Sequence, residues 1–197
     1  MKLVLASKNP HKLQEISAIL GTLGIEVVLQ SELGVDVDVE ETGTTFEENS
    51  FLKAEAVMKA SGLPAGADDS GLMVDALGGE PGVYSARYGG LSTDDERIDY
   101  LLKNLEGAEN RGAQFVCCIT ALWPDGRKIV ATGIVRGRIT TERQGCDNFG
   151  YDPVFYLPEY GCTYAQMDRT FKNGISHRAK ALREFVRQYH EDTHYGQ

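Results

Sequence analysis

Hydrophobic positions in this chain switch repeatedly between a spacing of two and a spacing of three to four, and each switch marks an element boundary. Residues 2–6 are a short apolar run, which predicts a strand. Past Ser7-Lys8-Asn9-Pro10-His11-Lys12, the apolar positions Leu13, Ile16, Ile19 and Leu20 share one helical face. Asn9 is the expected N-cap of that helix and Pro10 its first residue. Residues 25–29 read as a second strand, and Val35-Asp36-Val37-Asp38-Val39 alternates strictly, predicting a half-exposed strand that ends in Glu40-Glu41. Thr45-Phe46-Glu47-Glu48 is a capping box opening a helix to about residue 61, with Phe46, Ala54, Val57 and Ala60 on its buried side. Gly62-Leu63-Pro64 stops it, and Leu72-Met73-Val74-Asp75-Ala76 alternates as a strand. A second box over residues 93–96 precedes the stripe Ile98, Leu101, Leu102 and Leu105. Residues 114–123 and 127–139 are strand runs joined by the hairpin turn Pro124-Asp125-Gly126. A strand over residues 154–157 and a last helix bearing Leu182, Phe185, Val186 and Tyr189 complete the pattern. An antiparallel section thus follows alternating βα units.

Composition narrows the class. A chain of 197 residues is one domain, or one core with a lobe, and 42% hydrophobic with 25% charged residues is ordinary for a soluble globular protein. No run approaches the roughly 18 apolar residues of a membrane span, and the short apolar start reads as a strand rather than a signal peptide. A net charge of −9 argues against a polymeric nucleic acid partner. Cys117, Cys118, Cys146 and Cys162 contain no Cys-x-x-Cys pair and have no local base, so reduced structural thiols in the cytoplasm are expected.

Candidate chemistry centres on Ala67-Asp68-Asp69-Ser70-Gly71-Leu72, read as a tight break beside a strand. Adjacent carboxylates repel unless a cation or a shared proton intervenes, and a hard cation such as Mg²⁺ would relieve them. The other reading is a solvated acidic turn. Glu40 and Glu41 also fall at a strand end, so four acids form a metal cage if the two ends meet. Ser7 to Lys12 joins a strand to a helix N-terminus, which suits a phosphate, although no P-loop motif is present; an ordinary βα unit with surface lysines is the alternative. Phe149 and Tyr151 lie on a turn-rich loop, either as a stacking platform for a planar ligand or as a plug over the core. With Ser176 as N-cap, His177 and Arg178 occupy a first helical turn, where a cation opposes the dipole unless an anion or an electron-rich base edge binds.

These stretches, in this order, resemble the ITP/XTP (dITP/XTP) pyrophosphatases, which remove deaminated purine nucleoside triphosphates. The matching runs are Ser7 to Lys12, Glu40-Glu41-Thr42-Gly43-Thr44-Thr45-Phe46-Glu47-Glu48-Asn49, Ala67 to Leu72, Gly78 to Tyr88, Phe149-Gly150-Tyr151-Asp152-Pro153 and Ser176-His177-Arg178. The resemblance implies an α/β fold: two lobes of a single domain over residues 1–197, a mixed sheet, a central nucleotide-binding cleft and usually a homodimer. It implies Mg²⁺-dependent hydrolysis between the α- and β-phosphates. On that reading Asp69 is proton acceptor and metal ligand, and Glu41, with Glu40, completes the metal site. Ser7, Lys8, Asn9, Pro10, His11 and Lys12 hold the triphosphate, and Ser70 touches substrate. Phe149, Gly150, Tyr151, Asp152, Lys172, His177 and Arg178 receive base and sugar. Lys53 is a further candidate cation for the phosphates. A Maf-type pyrophosphatase and a non-catalytic nucleotide sensor are the rival readings.

Overall fold

The structure is a computed structural model that describes residues 1–146 and 149–194, with the side chains of His11, Thr193 and His194 outside the description. The elements run β1 (Lys2–Leu5), α1 (Pro10–Leu20), β2 (Glu26–Leu29), α2 (Phe46–Ser61), β3 (Ala65–Val74), α3 (Asp94–Asn104), β4 (Gly112–Leu122), β5 (Lys128–Ile139), β6 (Phe155–Leu157), β7 (Cys162–Thr163), α4 (Arg169–Ile175) and α5 (His177–His194). The seven strands hydrogen-bond in the order β2-β1-β3-β4-β5-β6-β7. β1 pairs in parallel with β2 and β3, whereas β5, β6 and β7 pair antiparallel, so the sheet is mixed.

The chain divides into two compact units. The first holds residues 1–69, 117–133 and 178 onward; the second holds 70–116 and 134–177. In the first, side-chain alternation on the strands sorts the core into two faces. Leu3, Leu5, Cys117, Ile119 and Ala121 pack with Ile16 and Leu20 of α1 and with Leu182 and Phe185 of α5. Val4, Val28, Ala65 and Ala67 point the other way, towards Ala54 and Val57 of α2. The second unit has its own core, in which Leu72 and Val74 pack with Ile98, Leu101 and Leu105 of α3 and with Phe115, Phe155 and Tyr164. No helix of the described residues is long and apolar enough to cross a membrane.

Several expectations change. Asp68, Asp69 and Ser70 do not form a tight break: they lie inside β3, a ten-residue strand that also absorbs Leu72 to Val74. Tertiary pairing overrides the turn preference of Asp, Ser and Gly. Residues 35–39 keep their alternating exposure but form no strand; Val35 and Val37 pack against the α2-side core instead of joining a ladder. Ala60 is exposed, and the buried face of α2 runs through Phe46, Asn49, Ser50, Ala54 and Val57. β7 and α4 lie in a segment whose pattern predicts neither.

The capping box of α2 forms as expected: Glu48 N donates to Thr45 Oγ1 at 3.1 Å, and Thr45 N donates to Glu48 Oε2 at 3.1 Å. Thr45→Ala removes one side of the box and should cost about 1 kcal/mol of stability in urea titration.

Candidate active site

Consecutive strand residues point to opposite faces, so β3 separates its two aspartates. Asp69 shares the α2 side with Ala65 and Ala67; Asp68 faces α1 and α5. Each anion meets a different set of partners.

Asp68 accepts from Lys12 Nζ at 2.9 Å through Oδ1, and its Oδ2 lies 3.4 Å from both Nε and Nη2 of Arg178. Arg178 Nη1 in turn donates to Glu15 Oε2 at 2.8 Å. The Asp68 side chain is 1% exposed. Burial alone would raise its pKa, but Lys12 and Arg178 outweigh burial and hold the carboxyl far below the usual range. Arg178 shifts upward for the matching reason, with burial opposing and Asp68 leading the groups that overcome it.

On the other face, α2 places Asn49 and Lys53 one helical turn apart. Asn49 Nδ2 donates to Asp69 Oδ2 at 3.1 Å, and Lys53 Nζ stands 3.6 Å from Asp69 Oδ1. The same ammonium donates to Glu41 Oε1 at 2.6 Å. Burial is the largest influence on Asp69 and raises its pKa; Glu41 pushes the same way, against Lys53 and Asn49. For Lys53, burial disfavours the charge, yet Asp69 and Glu41 more than compensate and its pKa is raised.

The four-acid cage expected from the sequence does not form. Asp68 is turned to the opposite face, Glu40 is exposed, and no group of three or more His, Cys, Asp or Glu among the described residues is placed to hold a metal ion. Glu41 and Asp69 do come together, around one ammonium. Two hard carboxylates are a donor pair that a divalent cation of the hard, oxygen-seeking class would accept.

At the start of α1, Ser7 Oγ accepts from Asn9 N at 3.1 Å, and Asn9 Oδ1 accepts from Lys12 N at 3.4 Å, so Asn9 is the N-cap and Pro10 opens the helix. Lys8 is exposed, 3.7 Å from Asp36, beside a hollow of about 400 Å³. The side chain of His11 lies outside the described residues.

In the second unit, Phe149 is 63% exposed, and Lys172 Nζ lies 5.4 Å from its ring centroid and 5.3 Å from that of Tyr164. Lys172 also forms an ion pair with the buried carboxylate of Asp152. Gly150 N donates to Asp94 Oδ2 at 2.9 Å. Tyr151 is a core residue, its hydroxyl donating to Ser85 O at 2.7 Å, while the His177 ring stacks 4.9 Å from Phe115. The loop therefore contains both a plug, Tyr151, and an open aromatic, Phe149. Asp147 and Asn148 of the same loop lie outside the described residues. Ser70 follows Asp69 on β3 and is half-buried.

Sequence reading passed over two of these residues, Asn49 and Tyr164. The signal for Asn49 was present: it lies four residues before Lys53, on the helix that the capping box announces. Nothing in the sequence around Tyr164 places its ring beneath Lys172. Cys117 and Cys118 are buried, and burial raises the pKa of both, which disfavours the reactive thiolate.

Removing the charge of Asp68 leaves two cations in a buried site. Asp68→Asn should cost about 3–5 kcal/mol at neutral pH, measured by denaturant unfolding. The Asp68 pKa is depressed in the folded state. Its contribution is therefore complete above the unfolded value of about 3.9 and is lost as pH falls through the folded one, so the gap between wild type and variant should close only in acid.

Comparison with known proteins places these features. The Ham1 family model matches residues 3–188. A dITP/XTP pyrophosphatase of Synechocystis sp. is 48% identical over 188 residues, covering 95% of this chain and 94% of that protein. One from Thermus thermophilus is 50% identical over 192 residues, with 96% and 92% covered. Among solved structures, the Staphylococcus aureus Ham1 protein superposes with a TM-score of 0.91 at 44% identity, covering 98% of this chain and all (100%) of that one. A nucleoside-triphosphatase, or dITP/XTP pyrophosphatase, from Mycobacterium abscessus gives 0.81 at 40% identity, with 93% and 97% covered. With its sequence matched almost end to end and its mixed sheet shared with these structures, the chain belongs to the Ham1 family.

Proposed function

We propose that this protein hydrolyses deaminated purine nucleoside triphosphates, ITP, dITP and XTP, to the monophosphate and pyrophosphate. The observation that carries the reading is Asp69: a buried carboxylate of raised pKa, set by Asn49 and Lys53, with Glu41 on the same ammonium. The names of the relatives from Synechocystis and Thermus thermophilus support the same reaction, and the Ham1 match sets aside the Maf-type alternative.

A carboxylate whose pKa is raised by burial is a stronger proton acceptor for water than an ordinary aspartate. Asp69 takes the proton of the water that attacks the α-phosphorus, and no covalent intermediate is needed. Lys12 and Lys53, with Lys8 at the edge of the loop, bring positive charge to the phosphates of a substrate that a chain of −9 otherwise repels. A divalent cation, Mg²⁺ in this reading, would be held by Glu41 and Asp69, and would supply charge neutralisation on the phosphate oxygens. Ser7, Asn9, Pro10, His11 and Ser70 complete the phosphate end.

At the base end, Phe149 offers an open ring for stacking and Lys172 a donor, with Gly150, Tyr151 and Asp152 shaping the loop. His177 and Arg178 add donors suited to a carbonyl at purine C6, where adenine carries an amino group. An adenine amino group facing donors costs roughly 1–3 kcal/mol per unpaired group. The resemblance extends the proposal to one domain working as a homodimer in the cytoplasm.

A panel of ITP, dITP, XTP, GTP and ATP, assayed for pyrophosphate with and without Mg²⁺, tests the reading. Release from the first three that far exceeds release from ATP supports it; equal rates for all five, or no pyrophosphate, overturns it. Asp69→Asn should keep nucleotide binding and lose roughly 10²–10⁴ in kcat, and near-normal kcat would move the base elsewhere. Lys12→Ala should weaken triphosphate binding by roughly ten- to a hundredfold and monophosphate binding much less, as measured by calorimetry.

A further inference from the structure

A carboxylate that must both bind a cation and accept a proton has to be held in one orientation, and Asn49 is the residue placed to hold it. Its side chain is fully buried, at 0% exposure, on the second turn of α2. Two polar partners meet it there. Asn49 Nδ2 donates to Asp69 Oδ2 at 3.1 Å, and Asn49 Oδ1 accepts from the backbone N–H of Gly43 at 2.8 Å. The partners are chemically opposite, a carboxylate and a fixed donor, so only one orientation of the amide satisfies both.

The second bond has a structural reason behind it. Gly43 lies two residues after Glu41, and a Cβ at that position would stand 2.6 Å from Asn49 Oδ1 and 2.7 Å from Glu48 Cβ. A side chain there would drive the loop off the helix. Glycine lets the backbone that carries Glu41 close onto Asn49. The loop is tied again by Lys53, which donates to the Glu41 carboxylate. Asn49 and Lys53, four residues apart, thus reach the same two targets: the strand that carries Asp69 and the loop that carries Glu41.

We infer that Asn49 is a positioning residue for the cation and water chemistry of this site: through one buried amide it fixes the rotation of Asp69 and the reach of Glu41. Its side-chain amide is engaged by Asp69 and by the Gly43 backbone. Groups that orient metal-binding carboxylates typically cost 10–100-fold in metal affinity or activity when removed, and a residue linking both carboxylates belongs in that range. Gly43 serves the same end from the loop side. The inference rests on the proposed roles of Asp69 and Glu41.

The test uses the full chain, with Mn²⁺ as a spectroscopic probe of the hard-cation site. Mn²⁺ affinity without nucleotide is measured by electron paramagnetic resonance for wild type, Asn49→Ala and Gly43→Ala, beside kcat and KM for ITP. The expected result is a Mn²⁺ Kd raised by about 10–100-fold in both variants. The same range should appear as a fall in kcat, with KM for ITP changed no more than about threefold. The double variant should be little worse than either single one, because both remove the same link. A purely structural role predicts a smaller folded fraction with unchanged Mn²⁺ Kd and unchanged kcat per folded molecule; that result overturns the inference. If Asn49→Ala does not fold, Gly43→Ala decides, since it leaves both side chains of the link in place: unchanged Mn²⁺ affinity there also overturns it. Absence of pyrophosphate release by the wild type would sink the proposed reaction, while the Mn²⁺ comparison would still decide on Asn49.

Discussion

Two neighbouring anions on an inner strand have to be neutralised where water cannot do it, and the first unit is arranged around that requirement. An unpaired buried carboxylate is costly enough that it would protonate or unfold its surroundings. Because the strand points Asp68 and Asp69 in opposite directions, no single cation serves both well. α1 and α5 bring Lys12 and Arg178 to one side; α2 brings Lys53 and an amide to the other. The packing of Ile16, Leu20, Leu182 and Phe185 on one face, and of Ala54 and Val57 on the other, holds those helices at the required distance.

Equal chemistry leads to unequal behaviour on the two sides. Asp68, with a lysine and an arginine, is driven far towards the ionised form and serves as a fixed counter-charge. Asp69, with one shared ammonium and a carboxylate neighbour, is left easier to protonate. Two adjacent carboxylates of one strand thus take different protonation tendencies from their surroundings alone.

Much of this was legible in the sequence wherever local physics decides. The capping boxes at Thr45 and Thr93, the Asn9-Pro10 helix start and the 124–126 hairpin depend on neighbours within a few residues, and all appear as expected. The motif stretches also brought forward Lys12, Glu41, Asp69 and Arg178, which the structure joins in ion pairs around the two aspartates and Lys53. What could not be read was set by distant partners. Asp-Asp-Ser-Gly resembles a turn when read alone, yet it lies inside β3, a strand placed between β1 and β4 in the sheet. Residues 35–39 alternate like a strand, yet Val35 and Val37 find their contacts in side-chain packing rather than in a ladder. The attachment of Arg178 to Asp68 spans 110 positions in sequence, and no local pattern records it.

The burial of two adjacent aspartates on β3 also bears on how the protein can change over time. β1 fixes the position of the strand through the pairs Val4 with Ala65 and Leu5 with Gly66. A one-residue insertion or deletion between that anchor and the acids would rotate every later side chain by half a turn. A deletion would turn Asp69 towards Arg178 without Asn49 and leave Ser70 facing Lys53. An insertion would turn Asp68 towards Lys53 and leave Lys12 and Arg178 without their carboxylate. Both charge sets would be mismatched at once, with no intermediate arrangement along the way. A change of length is therefore far costlier in this strand than in a surface loop, whose side chains carry no such register.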